Sequence, residues 1–291
     1  MADRDHIRNP AEWSVDQLRA ATVAVGAVGH AVRGPDEAAT ASLPEVRRIE
    51  LADLKEALAD GLADFAACRS DVVFLCIVYP LAGLVLAWSA LNYDILPLIF
   101  PLTAGFALLG PVAAVGLYEI SRRREQGVET SWAAAFGVVR SPAFGAVVVL
   151  GLVLVAIFLL WLGVAYALWS VTLGPEPAAS SSAFFRQVFT TGPGWAMIVV
   201  GMAVGFLFAV LVLTISVVSF PMLLDRNPGL YAAVMTSVHA VIRNPVPMAV
   251  WGLIVAGGLL LGSIPVLLGL MIVLPVLGHA TWHLYRKLVP R

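Results

Sequence analysis

Charged residues are scarce in this sequence: 13% of its 291 residues are Asp, Glu, Lys or Arg, whereas 60% are hydrophobic. A soluble globular chain carries about a quarter charged residues, so a water-soluble fold of this size would lack the polar surface that it needs. The two cysteines indicate neither a disulfide framework nor a zinc knuckle. No phosphate loop, dinucleotide fingerprint, nucleophile elbow or HExxH motif occurs. The composition therefore indicates an integral membrane protein rather than a soluble enzyme or a nucleic-acid-binding protein.

Long apolar runs make up most of the chain after residue 71. A helix needs about 20 apolar residues to cross the hydrocarbon core of a bilayer. The last run, 246–285, would be about 60 Å long as one helix, so it must fold back, and Gly262-Ser263-Ile264-Pro265 is the expected hinge. The sequence predicts an all-α, polytopic bundle of six transmembrane helices, at about 72–91, 95–118, 143–171, 195–224, 246–263 and 265–285.

The N-terminal region differs from the rest in composition. Its first residues carry acidic as well as basic side chains, so the positive segment of a secretory signal is missing. We expect residues 1–45 to form a cytoplasmic tail with a short helix and a flexible stretch, too small for a catalytic domain. Residues 46–291 are then the six-span membrane domain.

Basic residues between the predicted spans fall almost entirely on one side, whereas the opposite side has only Arg186. The positive-inside rule places the basic side in the cytoplasm. We therefore expect a multi-pass protein of the bacterial inner (cytoplasmic) membrane with both termini cytoplasmic. The Ser-, Pro- and Gly-rich segment 174–194 is the sizeable external loop of this topology.

Three similar stretches lead into the first, third and fifth predicted spans. Each ends a candidate amphipathic helix with an arginine, and a Ser or Asn follows that can cap the next helix. In the first, leucines and a phenylalanine recur at spacings of three and four. The pattern predicts three repeats of an interfacial amphipathic helix followed by a transmembrane hairpin. The stretches are Phe65–Asp71, with the preceding apolar stripe Leu51, Leu54, Leu58, Leu62 and Phe65; Phe136–Pro142; and His239–Pro245.

Two motifs carry a family resemblance. One runs from Phe100-Pro101-Leu102 through Gly110-Pro111 to Ser121-Arg122-Arg123-Arg124-Glu125, and the other is Leu274-Pro275-Val276-Leu277-Gly278-His279-Ala280-Thr281-Trp282-His283-Leu284-Tyr285-Arg286. Together they resemble a domain-of-unknown-function family of predicted prokaryotic integral membrane proteins, some of them labelled putative cytochrome c oxidase subunit. The resemblance implies a six-helix bacterial membrane protein without an established activity, and it supplies no catalytic residues.

Candidate metal ligands are few. His279 and His283 lie one turn apart on one helix face, and Glu119 and His239 belong to neighbouring elements of the same predicted side. Histidine and carboxylate are suitable ligands for zinc or iron. Two histidines on one face cannot clamp a haem from opposite sides, which argues against haem-copper catalysis. The alternative is that these histidines bond to backbone carbonyls, lipid headgroups or Glu119, so we expect no cofactor.

Two further features bear on transport and lipid contact. The middle of every predicted span lacks Asp, Glu, Lys and Arg, which disfavours ion-coupled transport. The basic cluster Arg122, Arg123 and Arg124 suits contact with anionic lipid, although topology alone accounts for it. Gly201 and Gly205 form a G-x-x-x-G spacing for close helix packing, either within the chain or in a dimer.

Three functional hypotheses follow. The first is a non-enzymatic accessory or assembly factor for another membrane complex, such as a respiratory one. The second is a passive transporter or lipid-handling protein, which predicts a polar cavity. The third is a metal- or haem-dependent enzyme, in which His279 would be essential. The lipid bilayer is the expected partner in each case, with a membrane complex or a second copy of the chain as further partners, and no nucleic acid.

Overall fold

The computed structural model describes residues 43–76, 81, 83–85, 88–89, 96–128, 132–174 and 180–290. Within these ranges every regular element is a helix and no strand occurs, so the predicted all-α class is confirmed. The α-helices are α1 (Leu51–Cys76), α2 (Ile99–Phe106), α3 (Gly110–Ala113), α4 (Val115–Glu125), α5 (Phe144–Thr172), α6 (Ser181–Thr190), α7 (Gly192–Ser216), α8 (Ser219–Arg226), α9 (Leu230–Arg243), α10 (Pro245–Ser263) and α11 (Leu270–Leu288). Short 3-10 helices cover Leu96–Leu98, Ala107–Leu109 and Trp132–Arg140.

Four helical segments of the described residues are long and apolar enough to cross a membrane. The predicted count of six is therefore not confirmed. Nine of the 20 residues of the first predicted span lie outside the described residues, and so does nearly all of the tail 1–45. The sixth predicted span corresponds to helix α11, which is not among the four apolar segments. The second half of α11 carries histidines and basic residues. The four segments are Ile99–Glu125, Phe144–Thr172, Gly192–Arg226 and Pro245–Ser263.

The segment predicted as the external loop contains a helix of its own. Ser180 begins α6 by accepting a hydrogen bond from the Ala183 backbone N–H (3.1 Å). Phe184 and Val188 of α6 form a small buried cluster with Trp169 of α5. Packing of these apolar side chains holds part of the connection between α5 and α7 against α5.

Among the described residues, helices α1 and α11 form the most extensive helix pair, and they run antiparallel. The Arg47 backbone N–H donates to the Leu288 carbonyl (2.8 Å) at one end. Farther along, a Cβ added at Gly61 would stand 2.5 Å from the Ala280 backbone nitrogen. The pair therefore approaches closely at small residues, as helices in membranes commonly do.

The buried face of α1 is rotated from the predicted leucine stripe. Leu62 is 54% exposed and Leu51 is 48% exposed, so these two stripe positions were wrong. Close approach to α11 requires small side chains in the contact, which turns the larger leucines towards the flanks. The buried positions of α1 are Leu54, Ala57, Gly61 and Asp64.

The three predicted repeat junctions differ in structure. Helix α1 continues without a break through Arg69-Ser70-Asp71, so a helix boundary at Ser70 was wrong. At the second junction a 3-10 helix, not an α-helix, ends at Arg140. The third matches the prediction: α9 ends at Arg243, and Pro245 occupies the first turn of α10. The buried Asn244 side chain does not cap α10 but accepts from the Ile49 N–H (2.8 Å).

The predicted hinge after α10 is confirmed. Helix α10 ends at Ser263 and α11 begins at Leu270. Gly262 and Gly269 lie so close that a Cβ on Gly269 would stand 2.8 Å from the Gly262 Cα. Glycine at both positions therefore lets the hairpin close.

The G-x-x-x-G spacing of α7 packs within the chain. A Cβ at Gly205 would stand 3.2 Å from Cη2 of Trp161, and one at Gly201 would stand 3.4 Å from a methyl group of Leu168. Trp161 is buried and donates to the Pro101 carbonyl (2.9 Å). Of the two possibilities that the sequence left open, the structure supports intramolecular packing against α5.

Burial is distributed unevenly along the bundle. Trp282, Tyr285 and Phe220, which lie near the arginine-rich ends of the helices, are fully buried. In the middle of the long helices, large apolar side chains such as Leu159 (59%) and Phe206 (66%) are exposed. An apolar exposed band and a packed polar end are typical of a chain with hydrocarbon around its middle.

Candidate functional site

Polar side chains of α1, α4, α8 and α11 meet at one end of the bundle, which we call the charged face. It is built around three carboxylates: Asp64, Glu119 and Asp225. Helix α4 supplies the basic cluster, and the last three turns of α11 supply two histidines and two basic residues. The geometry of the charged face limits what chemistry its carboxylates and histidines can perform.

Asp64 is the centre of the first cluster and is buried. Its Oδ2 accepts a hydrogen bond from the Ser121 hydroxyl (2.6 Å) and lies 2.9 Å from His283 Nε2. Its Oδ1 pairs with Arg124 Nε at 2.9 Å. Asp64 thus ties α1 to both α4 and α11.

His279 joins this cluster through Ser121. The Ser121 hydroxyl oxygen lies 2.7 Å from His279 Nδ1. Because the hydroxyl has one proton and donates it to the carboxylate, its oxygen must accept from Nδ1–H of His279. Nε2 of His279 then carries a lone pair, and this buried atom has no hydrogen-bond partner among the described residues.

Opposing effects act on the pKa of Asp64. Burial raises it, but hydrogen bonds from His283 and Ser121, together with the electrostatic effect of the two histidine side chains, outweigh burial and hold the pKa below its ordinary value. The carboxylate is therefore ionised, which is consistent with its acceptance of two hydrogen bonds and an ion pair.

Glu119 is the centre of the second cluster. Arg122 binds it through two parallel hydrogen bonds, Nε to Oε2 (2.8 Å) and Nη2 to Oε1 (2.9 Å). Arg123 Nε adds a third at 2.7 Å. Both oxygens of this buried carboxylate are occupied by arginines, so Glu119 is not the partner of the histidines that the sequence suggested.

Asp225, at the end of α8, is the centre of the third cluster. It accepts from the Tyr285 hydroxyl (2.8 Å) and from Arg286 Nη1 (3.2 Å). Arg286 Nε also pairs with Glu125 (3.1 Å), which accepts from the Trp282 indole N–H (3.1 Å). These contacts fasten α11 to α4 and α8.

A cavity of about 470 Å³ opens between α4, the 3-10 helix Trp132–Arg140, the start of α5 and the end of α8. We call it the arginine pocket, because four guanidinium groups and two carboxylates dominate its lining. Ser141, Pro142 and the apolar Leu223 and Leu224 complete its walls. The charged groups of the lining are Arg122, Arg123, Arg140, Arg226, Glu119 and Asp225.

The candidate metal ligands are not gathered into one site. His279 and His283 share the Asp64 cluster, Glu119 is bound by two arginines, and His239 is exposed on α9. Within the described ranges, no group of three or more His, Cys, Asp or Glu side chains could hold a metal ion.

The basic cluster that the sequence suggested for lipid contact is engaged inside the protein. Arg122 and Arg123 bind Glu119, and Arg124 binds Asp64. Their side chains are 27%, 33% and 41% exposed, in the same order. Contact with lipid headgroups would use the N–H groups that these carboxylates leave free.

Sequence reasoning missed Asp64 and Ser121. One signal was available for Asp64: it continues the spacing of Leu54, Ala57 and Gly61 on the small-residue face of α1. An acidic residue on a buried helix face requires a partner from another helix. Ser121 gives no such signal, because a serine on an amphipathic helix is common.

The apolar helices and the polar end define an integral membrane protein of the multi-span α-helical class. Residues 99–225 match the model of a family described as predicted integral membrane protein (DUF2189). The resemblance to a domain-of-unknown-function family of membrane proteins is thereby confirmed. The matched segment contains the Phe100–Glu125 motif, whereas the motif in α11 lies outside it. No curated protein and no solved structure matches significantly.

Proposed function

We propose that this protein is a non-enzymatic accessory or assembly factor for another membrane complex, such as a respiratory one. The observation that supports the proposal is that the buried polar groups make contacts between different elements of the fold. Asp64 and Asn244 each connect elements far apart in the sequence. Ser237 accepts from the Val218 N–H (3.2 Å), and the Ser219 hydroxyl donates to the Ala233 carbonyl (3.2 Å).

These contacts build a rigid polar end rather than a reactive centre. A catalytic acid, base or nucleophile must reach a reacting atom within hydrogen-bond distance. Here Asp64 and Glu119 are saturated by side chains of their own chain, and His279 Nε2 is buried away from solvent. A fixed constellation of charges at one end of a membrane bundle suits recognition of a partner protein, since complementary charges set orientation.

Location forms part of the same proposal. Three of the candidate spans have one end at the charged face, where the basic residues collect. By the positive-inside rule this face lies in the cytoplasm. The protein would then reside in a bacterial inner membrane with both termini cytoplasmic.

Purification from native membranes tests the accessory role. The tagged, full-length protein is extracted in mild detergent, and co-purifying proteins are quantified by mass spectrometry, with an unrelated tagged multi-span protein as the control. We expect subunits of one defined membrane complex in near-stoichiometric amounts. Recovery of the protein alone, or with lipid only, would contradict the proposal.

One observation favours the second hypothesis, a passive transporter or lipid-handling protein. That hypothesis predicts a polar cavity. The arginine pocket has six charged side chains in its lining and the size of ordinary ligand sites. The pocket lies at one end of the bundle rather than along its length, which favours lipid handling over passage of a solute.

A further inference from the structure

We propose that the arginine pocket is a binding site for a phosphate group, carried by a phospholipid headgroup or by a phosphorylated solute. The proposal goes beyond the accessory role and does not depend on it. It rests on the charge, the donor geometry and the position of the pocket.

The charges of the pocket do not balance. Four guanidinium groups face two carboxylates, so the lining has a surplus of two positive charges. Arg140 accounts for much of this surplus, because it is exposed and has no hydrogen-bond or ion-pair partner among the described residues. A doubly charged anion is the complement that neutralises the lining.

Two of the arginines are held in place before any ligand binds. Glu119 fixes Arg122 by a bidentate contact and Arg123 through Nε. A guanidinium has five N–H donors, so both arginines retain donors for a further acceptor. Planar, fixed guanidinium groups suit phosphate oxygens, which accept such paired hydrogen bonds.

Gly137 contributes to the position of Arg123. The guanidinium of Arg123 lies over this glycine of the 3-10 helix, and an added Cβ would collide with its Nη2. Glycine at 137 therefore leaves room for the side chain at the pocket wall.

The position of the pocket favours a lipid headgroup as the source of the phosphate. Candidate spans end at Glu125 and at Arg226, and another begins at Phe144, two residues after the pocket residue Pro142. The pocket therefore lies where apolar helices meet water, at headgroup depth. Val139, which precedes the pocket residue Arg140 in the chain, is apolar and 58% exposed.

The test compares two substitutions in the full-length, detergent-purified protein. Arg140→Gln removes the pocket guanidinium that has no partner among the described residues. Arg243→Gln is the matched control, because Arg243 is also exposed, unpaired among the described residues and placed before an X-Pro junction, but it does not line the pocket. Neither change removes a described contact, so we expect both variants to fold. Thermal unfolding of each variant checks this expectation.

Binding is measured with two probes: inorganic phosphate, and mixed micelles that contain dioctanoyl phosphatidic acid, with dioctanoyl phosphatidylcholine as the lipid control. We expect the wild type to bind phosphatidic acid, Arg140→Gln to bind it about tenfold more weakly, and Arg243→Gln to bind like the wild type. Raising the salt concentration should weaken binding, because the contact is electrostatic.

The outcomes separate the two sources of phosphate. Binding of phosphatidic acid without competition from inorganic phosphate assigns a lipid headgroup, whereas competition or direct phosphate binding assigns the phosphate group itself. If the wild type binds neither probe, or if Arg140→Gln and Arg243→Gln lose affinity equally, the proposal is wrong. A failed co-purification with a membrane complex would leave this result unaffected.

Discussion

At the scale of single residues, Asp64 connects three helices of the charged face. It is buried, yet it contacts Ser121, His283 and Arg124 from two other helices. Removing the charge of a buried carboxylate with three partners destabilises a fold mainly because those partners are left unsatisfied. Arg124 is partly exposed, so water would compensate part of the loss.

Asp64→Asn should destabilise the protein by about 2–3 kcal/mol, because Arg124 and His283 lose their charged acceptor. Asp60→Asn is the control: Asp60 lies one turn earlier on α1 and is exposed, so its substitution should change stability by no more than about 0.5 kcal/mol. Chemical unfolding in detergent gives both values. Equal effects of the two variants would contradict the role assigned to Asp64.

The same residue predicts a dependence of stability on pH. Burial raises the pKa of Asp64. Its hydrogen bonds and the electrostatic effect of the neighbouring histidines lower the pKa by a larger amount, so the net shift is downwards. The stabilisation from ionised Asp64 is therefore complete above the unfolded-state pKa of about 4 and is lost as the pH falls through the lower, folded-state pKa.

We expect the stability difference between wild type and Asp64→Asn to be present at about pH 5 and to shrink below about pH 4. Unfolding of both proteins in detergent at several pH values measures it. A difference that persists or grows at acid pH would show that ionisation of Asp64 does not contribute.

At the scale of elements, the pairing of α1 with α11 depends on small residues. The contact between Gly61 and the backbone of Ala280 leaves no room for a Cβ. Backbone atoms cannot rotate away as a side chain can, so the two helices must separate if Gly61 is enlarged. Separation would also lengthen the contacts of Asp64 with α11.

Gly61→Ala should therefore lower stability by about 1–3 kcal/mol. Gly163→Ala is the matched control, since Gly163 lies within α5 and has no atom within 4 Å of an added Cβ. We expect it to be neutral or to stabilise by no more than about 1 kcal/mol. Thermal unfolding compares the two variants, and a neutral Gly61→Ala would mean that α1 and α11 pack less closely than the structure indicates.

The elements also show how far sequence reasoning reached. The boundaries of α5, the hinge after α10 and the junction at Arg243 were predicted, because long apolar runs, glycine, proline and capping residues are local signals. Helix α6 and the continuity of α1 through Ser70 were not predicted. Helix α6 depends on a packing partner elsewhere in the chain, Trp169, and the sequence pattern does not show such a partner.

At the scale of the whole molecule, orientation is the property to test. Helix α5 begins beside the arginine pocket and runs 29 residues, about 43 Å, to Thr172. Because this length exceeds the roughly 30 Å of the hydrocarbon core, we expect its far end to lie on the opposite side of the bilayer from the charged face. The asymmetry of basic residues predicts that the charged face is cytoplasmic.

Cysteine labelling in intact cells checks this orientation. Starting from a chain in which Cys68 and Cys76 are replaced by Ala, Ser181→Cys and Arg243→Cys each introduce one exposed thiol, because both positions are exposed. We expect a membrane-impermeant maleimide to label Ser181→Cys in intact cells, and Arg243→Cys only after the inner membrane is permeabilised. The reverse pattern would overturn the predicted topology, and labelling of both sites in intact cells would show that they share one side.

The sequence by itself determined the class of this protein, the approximate positions of the spans described and the concentration of basic residues at one end. These properties follow from composition and from patterns within a single helix. Only the tertiary structure decided that Asp64 rather than Glu119 holds the histidines, that Gly201 and Gly205 pack within the chain, and that four arginines share one pocket. Each of these contacts joins residues from different helices, and spacing along the chain does not determine which helix faces meet.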